Sequence, residues 1–201
     1  MYQKYFKRVF DLSLSLFLII VLSPAMLCIF LLIWFKIGFP IYFQKRPGLN
    51  NKIFTIYKFK SLYDEPVWDS TKRQSSFGNF LRKTGIDEMP QLFNILENSM
   101  SFVGPRPLIL EYLKMEEFKN HVRSKCKPGI TGLSQISAYR TEYNFNDKSK
   151  WSNQFSLDKY YYENLNFFLD IKIIFLTFYR TTKTFKNDHY KEPAPKKSDL
   201  K

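Results

Sequence analysis

One stretch limits this chain more than any other: residues 12–35 read LSLSLFLIIVLSPAMLCIFLLIWF, 24 positions without a charge. A helix needs about 20 apolar residues to cross the hydrocarbon core of a bilayer, so the run predicts a membrane-embedded helix. Its flanks bear on topology. Lys4, Lys7 and Arg8 precede it; Lys36, Lys45, Arg46, Lys52, Lys58 and Lys60 follow. A spanning helix ordinarily leaves its outer flank poor in Lys and Arg, whereas both flanks here read as cytoplasmic. Pro24, at mid-run, removes one helix hydrogen bond and crowds the preceding turn. Ser23 beside it is able to satisfy a freed backbone group. The prediction is a helix that breaks at Ser23-Pro24 and returns to the same side, with a kinked span as the alternative. A cleavable signal peptide fits poorly, because the run is too long and no small-residue cleavage site follows.

The 201 residues leave room for one domain, or for one domain with a small attachment. A formal charge of +13 selects for anionic partners: nucleic acid, acidic headgroups or phosphorylated substrates. Cys28 and Cys126 fall in an apolar and a basic context, which argues against a disulfide framework and for a reducing compartment. With His121 and His189 as the two histidines, no zinc-ligand spacing exists.

Beyond the anchor, residues 40–59 alternate apolar with polar around a Pro47-Gly48-Leu49-Asn50-Asn51 turn and predict a hairpin. Residues 63–76 read as a loop, and 77–83 as a short helix ending near Gly85. A second helix is expected to open at Asp87, with Met89, Leu92, Phe93 and Leu96 at 3.6 periodicity and Pro90 in its first turn. Pro105 and Pro107 mark a rigid elbow, followed by an amphipathic helix over 108–122 and a turn at 127–132. In a further helix, 151–165, Trp151, Phe155, Asp158 and Tyr162 share one face. An acid there needs a partner or a task, so Asp158 either pairs with a nearby Arg or Lys or serves function. Residues 167–185 put Phe168, Ile171, Phe175 and Phe178 on one side, as in a core helix or one lying in a membrane surface. The expected fold is α/β and mostly helical, in three parts. A re-entrant anchor takes 1–36, a small cytoplasmic domain with short strands and interfacial helices takes 37–185, and a disordered basic tail takes 186–201.

The chemistry gathers around Asp87-Glu88. A helix start favours ionised acids and nearby phosphate, although such a pair on its own is most often a solvated cap. Arg82 lies five residues upstream, and Arg106 is framed in Val103-Gly104-Pro105-Arg106-Pro107, a placement suited to a bidentate phosphate contact. Two carboxylates with arginines suit Mg2+ and a diphosphate. A basic, membrane-tethered module for nucleic acid or acidic lipid is the competing class, but it explains neither Asp87-Glu88 nor the proline-framed arginine.

These blocks resemble the bacterial sugar transferase family, the monotopic phosphoglycosyl transferases. The matching segments are Lys7-Arg8-Val9-Phe10-Asp11, Ser23-Pro24, Gln44-Lys45-Arg46-Pro47-Gly48, Tyr57-Lys58-Phe59-Lys60-Ser61, Ile86-Asp87-Glu88-Met89-Pro90-Gln91-Leu92, Met100 through Pro107, and Lys127-Pro128-Gly129-Ile130-Thr131-Gly132. The resemblance implies transfer of a sugar-1-phosphate from a nucleotide diphosphate sugar, a uridine one by expectation, to polyprenyl (undecaprenyl) phosphate. It implies a bacterial inner-membrane protein whose catalytic domain lies on the cytoplasmic leaflet, with no nucleic-acid partner. Asp87 is then the nucleophile and Glu88, with Asp87, the Mg2+ ligand. Lys60, Arg82, Arg106, Arg140 and Asp158 are the candidate phosphate or substrate contacts, and Ser23-Pro24 is the membrane break. Around Arg140 this chain reads Ser137-Ala138-Tyr139 where the family has an Asn-Gly-Arg stretch, and it has Leu133-Ser134 where Trp-Ala is usual.

Overall fold

Leucine, isoleucine and phenylalanine without an intervening charge favour a long helix, and α1 runs from Lys7 to Lys36, about 45 Å at 1.5 Å per residue. The computed structural model describes residues 2–63, 76–137 and 148–186. Among these residues α1 is the one helix long and apolar enough to cross a membrane. The expected separation into two helices is not seen, because α1 is continuous and carries Pro24 inside it. The reason is local. Pro24 has no N–H to offer the carbonyl of Ile20, and Ser23 Oγ donates to that oxygen instead at 2.8 Å.

One stripe of α1 faces the rest of the protein along its whole length. It opens with buried Lys7, Asp11 and Ser15, continues through Leu18 and Leu22, and ends at Met26, Ile29 and Ile33. The polar members each have a task. Lys7 Nζ pairs with Asp170 at 2.5 Å. Arg8 donates to the carbonyls of Ile95 (2.6 Å) and Leu96 (3.0 Å), capping the C-terminal end of a later helix. Asp11 accepts from the Phe102 N–H at 3.1 Å. The opposite face, with Val9, Leu16, Phe17 and Ile20, is exposed.

Strands β1 (Ile41–Pro47) and β2 (Ile53–Phe59) form the antiparallel hairpin, paired from Ile41↔Phe59 to Pro47↔Ile53. Asn50 and Asn51 take positive φ in its turn, a conformation asparagine tolerates better than most residues. Helix α2 (Ser76–Thr84) ends on Gly85 at φ +73°. A 3-10 turn, Ile86–Glu88, leads into α3 (Gln91–Leu96), with Pro90 as its N-cap. Two three-residue strands, β3 (Ser101–Val103) and β4 (Gly129–Thr131), pair in parallel. They approach so closely that a Cβ on Gly129 lies 2.1 Å from Gly104 N, and one on Gly132 lies 2.1 Å from Gly104 O.

The amphipathic helix expected over 108–122 is instead three short turns: a 3-10 turn at Leu110–Lys114, helix α4 (Glu116–Lys119) and a 3-10 turn at Val122–Lys125. Met115 and His121 are extended and interrupt the helix. Tertiary packing explains this. Tyr112 and Phe118, six residues apart and not on one helical face, both turn into a cluster with Trp151 and Phe155, their own rings 4.8 Å apart. A one-turn helix α5 (Leu133–Ile136) follows, then α6 (Lys148–Glu163) and α7 (Phe167–Lys186). Trp151, Phe155 and Asp158 share the buried face of α6 as expected. On α7, Leu169 and Ile173 are buried while Phe168, Phe175 and Phe178 are exposed, so this helix has both a core face and a bare apolar face. Residues 64–75 of the expected loop and 187–201 of the expected tail lie outside the described residues.

Candidate active site

The carboxylate pair sits where β2, α2 and α3 meet. Gly85 stops α2 and turns the chain into the 3-10 turn, where Glu88 N–H bonds the Gly85 carbonyl at 3.0 Å. Ile86 and Met89, on either side of the pair, pack against Ile33 of α1, Phe59 of β2 and Leu81 of α2. This anchoring holds Asp87 nearly buried, at 9% exposure. Glu88 accepts from Lys58 Nζ at 2.7 Å. Arg82, in the last turn of α2, donates from Nε to Ser61 Oγ at 2.9 Å.

Electrostatics here include a burial effect that acts against the ionised form expected of Asp87 at a helix start. Burial and then the charge of Glu88 push the Asp87 carboxyl up to about 6, and Lys58 and Arg82 oppose the rise. Helix α3 begins at Gln91 and is six residues long, too distant and too short for its dipole to prevail over desolvation. Asp87 is still largely ionised near neutral pH. It is held as a desolvated anion beside a second carboxylate, an arrangement that a cation relieves. Mg2+ takes one or two carboxylates together with phosphate oxygens, and the Asp87-Glu88 donor set fits that requirement. Among the described residues there is no cluster of three or more His, Cys, Asp or Glu, so further ligands in this region come from substrate or water.

The second basic group is the elbow. Arg106 is exposed between its prolines, and its Nη1 reaches Gln135 Oε1 at 3.5 Å. Backbone contacts fix the elbow from two sides: Arg123 Nη2 donates to the Arg106 carbonyl, and Arg46 Nη1 to that of Pro107 at 3.4 Å. Arg46, a residue not among the expected site residues, has its pKa lowered by burial and by the neighbouring Arg106, while Tyr42, Glu111 and Glu88 act in the other direction. Its buried Nε has no hydrogen-bond partner. Arg46 thus feels Arg106 most among its charged neighbours, and the acids Glu111 and Glu88 more weakly.

Other expected residues fall differently. Lys60 follows β2, bonds the Pro40 carbonyl through its N–H at 2.8 Å, and has a half-buried side chain. Lys58, two residues earlier, is the lysine on Glu88. Asp158 is 1% exposed, accepts from Ser134 Oγ at 2.8 Å and pairs with Arg123 Nη2 at 3.5 Å. Of its two expected roles, the structure shows the pairing, which places Asp158 behind Arg123 and the elbow. Arg140 lies outside the described residues. For Lys58 and Arg46 a sequence signal existed, since both stand in blocks that carry the resemblance.

Residues 2–184 match the model of the bacterial sugar transferase family. The chain belongs to that family. This transferase is 41% identical to an uncharacterised sugar transferase, EpsL, of Bacillus subtilis, over 85% of the chain and 84% of that relative. It is 38% identical to an undecaprenyl-phosphate glucose phosphotransferase of Komagataeibacter xylinus over 87% of the chain. It is also 35% identical to a UDP-glucose:undecaprenyl-phosphate glucose-1-phosphate transferase of Escherichia coli, again over 87%. This transferase spans 35% and 39% of the length of those two relatives.

Proposed function

We propose that this transferase moves a sugar-1-phosphate from a uridine diphosphate sugar to polyprenyl phosphate and releases nucleoside monophosphate. The observation that carries the reading is Asp87, nearly buried and desolvated beside Glu88, with Lys58 and Arg82 supplying opposite charge to it. The names of the relatives, glucose and galactose phosphotransferases that use undecaprenyl phosphate, support the reaction class.

The reaction divides into two displacements. A carboxylate oxygen of Asp87 attacks the sugar-bearing phosphorus, the bond from that phosphorus to the bridging oxygen breaks, and nucleoside monophosphate leaves. An acyl phosphate remains on Asp87. A phosphate oxygen of polyprenyl phosphate then attacks the same phosphorus, and the acyl oxygen departs as the regenerated carboxylate. The two polyanionic substrates never occupy the site together. Arg82, Arg106 and Arg46 offset the charge that builds on the transferred phosphoryl group. Lys58 orients Glu88, and Asp87 and Glu88 are the residues that would hold Mg2+. When bound, that ion supplies charge neutralisation at the phosphoryl oxygens.

The seating proposed for the chain is the cytoplasmic face of the bacterial inner membrane, with both ends of α1 on that side. Support comes from the contact stripe: Lys7 and Ile33, near opposite ends of α1, are both buried against the same folded part. A straight crossing carries those ends to opposite sides of a hydrocarbon core about 30 Å thick.

Incubation with nucleotide sugar alone tests the covalent route. One equivalent of nucleoside monophosphate is expected in a burst, and intact-protein mass spectrometry should find sugar phosphate on the Asp87 peptide. Full turnover with neither burst nor adduct indicates direct displacement. Asp87→Asn should retain nucleotide-sugar binding and lose turnover.

A further inference from the structure

At the far end of α3 from Asp87, a cavity of about 450 Å3 opens between the foot of α1, the hairpin turn and residues 125–127. That volume lies within the range of small-ligand sites. Its charged lining is Lys7, Arg8, Lys125, Lys127 and Asp11. The cavity is distinct from the carboxylate site: Arg8 binds the last carbonyls of α3, whereas Asp87 precedes its first residue.

Charge is unbalanced there. Lys7 is paired with Asp170, which stands behind it. Counting that carboxylate and Asp11 against the four cations leaves an excess of two positive charges. Lys127 donates to Asn98 Oδ1, a neutral partner. Its ammonium is disfavoured by burial and by Arg8 and Lys7, with Asp11 opposing. Cations held close around a concave, partly desolvated space repel one another, and an anion between them removes that cost. Outside the cavity, Phe6 and Val9 on the foot of α1 are 68% and 63% exposed. A polar hollow therefore lies beside a bare apolar surface.

We propose that this cavity binds a phosphate-bearing anion, met either as the headgroup of an anionic membrane lipid lying along the foot of α1 or as free phosphate. The lipid source rests on the membrane seating of α1, which flotation of the wild type with neutral vesicles reports separately.

The test is native mass spectrometry of the full chain with equimolar phosphatidylglycerol and phosphatidylcholine, paired with thermal unfolding in inorganic phosphate. The cavity variant is Lys125→Gln/Lys127→Gln. A control, Lys119→Gln/Lys159→Gln, removes the same charge from exposed positions on α4 and α6. If a lipid fills the site, wild type and control retain phosphatidylglycerol at least about fivefold over phosphatidylcholine, and the cavity variant falls to near parity. If free phosphate fills it, neither lipid is preferred, and phosphate raises the unfolding temperature of wild type and control but not of the cavity variant. Equal behaviour of the cavity variant and the control in both measurements overturns the proposal.

Discussion

Replacing Lys7 with Met tests whether a buried ion pair secures the apolar helix to the rest of the protein. Lys7 and Asp170 are 9% and 1% exposed in their side chains and 2.5 Å apart. Asp170 also accepts from Tyr2 Oη at 2.6 Å and Tyr161 Oη at 2.7 Å. Methionine fills much of the space of the lysine stem, so the change removes the charge with little loss of volume. Breaking a buried pair from one side typically costs about 3–5 kcal/mol, because the remaining charge is stranded. The two tyrosine hydroxyls stay, and hydrogen bonds to a charged group are worth about 1.5–3 kcal/mol each, which places the expected loss near the lower limit, about 3 kcal/mol. With a urea slope of about 2 kcal/mol/M, the midpoint in detergent micelles should fall by about 1.5 M. Lys7→Met/Asp170→Asn should recover at least half of that, since asparagine is neutral and still accepts from the tyrosines. A single variant within about 0.3 M of wild type refutes the reasoning, as does a double variant no better than the single one.

Glu88→Gln should lose most turnover and regain part of it as Mg2+ is raised; a variant that no Mg2+ concentration improves removes Glu88 from the metal site. Arg106→Lys keeps the charge and loses the planar fork, so kcat/KM for nucleotide sugar should fall by about 10–100-fold, and a near-normal value would confine Arg106 to shaping the elbow. His121 stacks on Phe155 at 4.2 Å and accepts from the Arg123 N–H, and burial lowers its pKa to about 4. Its neutral form is favoured in the fold, so its contribution to stability is complete above about pH 6.5 and is lost as pH falls from there towards 4; the stability gap between wild type and His121→Asn should narrow over that interval, and a constant gap contradicts this. Gly129→Ala puts a Cβ 2.1 Å from Gly104 N and 2.3 Å from Thr131 O, and circular dichroism should show a protein that no longer folds at 37 °C.

Elements with a periodic pattern and a defined stop were legible in the sequence. The hairpin has its Pro-Gly-Leu-Asn-Asn turn, α2 has Gly85, and α6 and α7 carry long 3.6-residue patterns. Residues 108–125 were not legible, because an aromatic cluster reaching from Tyr112 to Phe155 sets their path. Nor was the β3–β4 pair, since three-residue strands are too short to display a period. In the site, Asp87-Glu88 was identifiable as a pair, but the upward pull of burial on the Asp87 carboxyl was not visible in a helix-start signal. Burial is a property of the assembled fold. Lys58 and Lys60 are equally plausible by type; which one meets Glu88 depends on the placement of the Glu88 turn against β2. Lys7 and Arg8 read as topology signals, yet their partners lie 163 and 87 residues away.

Those distant partners connect the anchor with the chemistry. The residues that flank the carboxylate pair, Ile86 and Met89, rest on the cluster that contains Ile33, with Met26, Ile29 and Phe30 of α1 packed around it. The apolar helix is thus the floor of the carboxylate site as well as its tether. In the proposed second displacement, the acceptor phosphate is attached to a polyprenyl chain that stays in hydrocarbon, so its headgroup cannot rise far above the interface. A nucleophile on an independent domain would have to reach down to it. On the proposed seating, Asp87, whose neighbours Ile86 and Met89 pack on the Ile33 cluster, has its height set by the same helix that enters the bilayer, and the positional entropy of bringing the acceptor to it is largely removed in advance. On this argument, replacing the exposed Phe17 and Ile20 with Asn, which weakens the hold of the bilayer on α1 without touching its buried stripe, should reduce turnover with polyprenyl phosphate while leaving the burst with nucleotide sugar intact. Equal loss of both would show that the change had disrupted the site rather than its height.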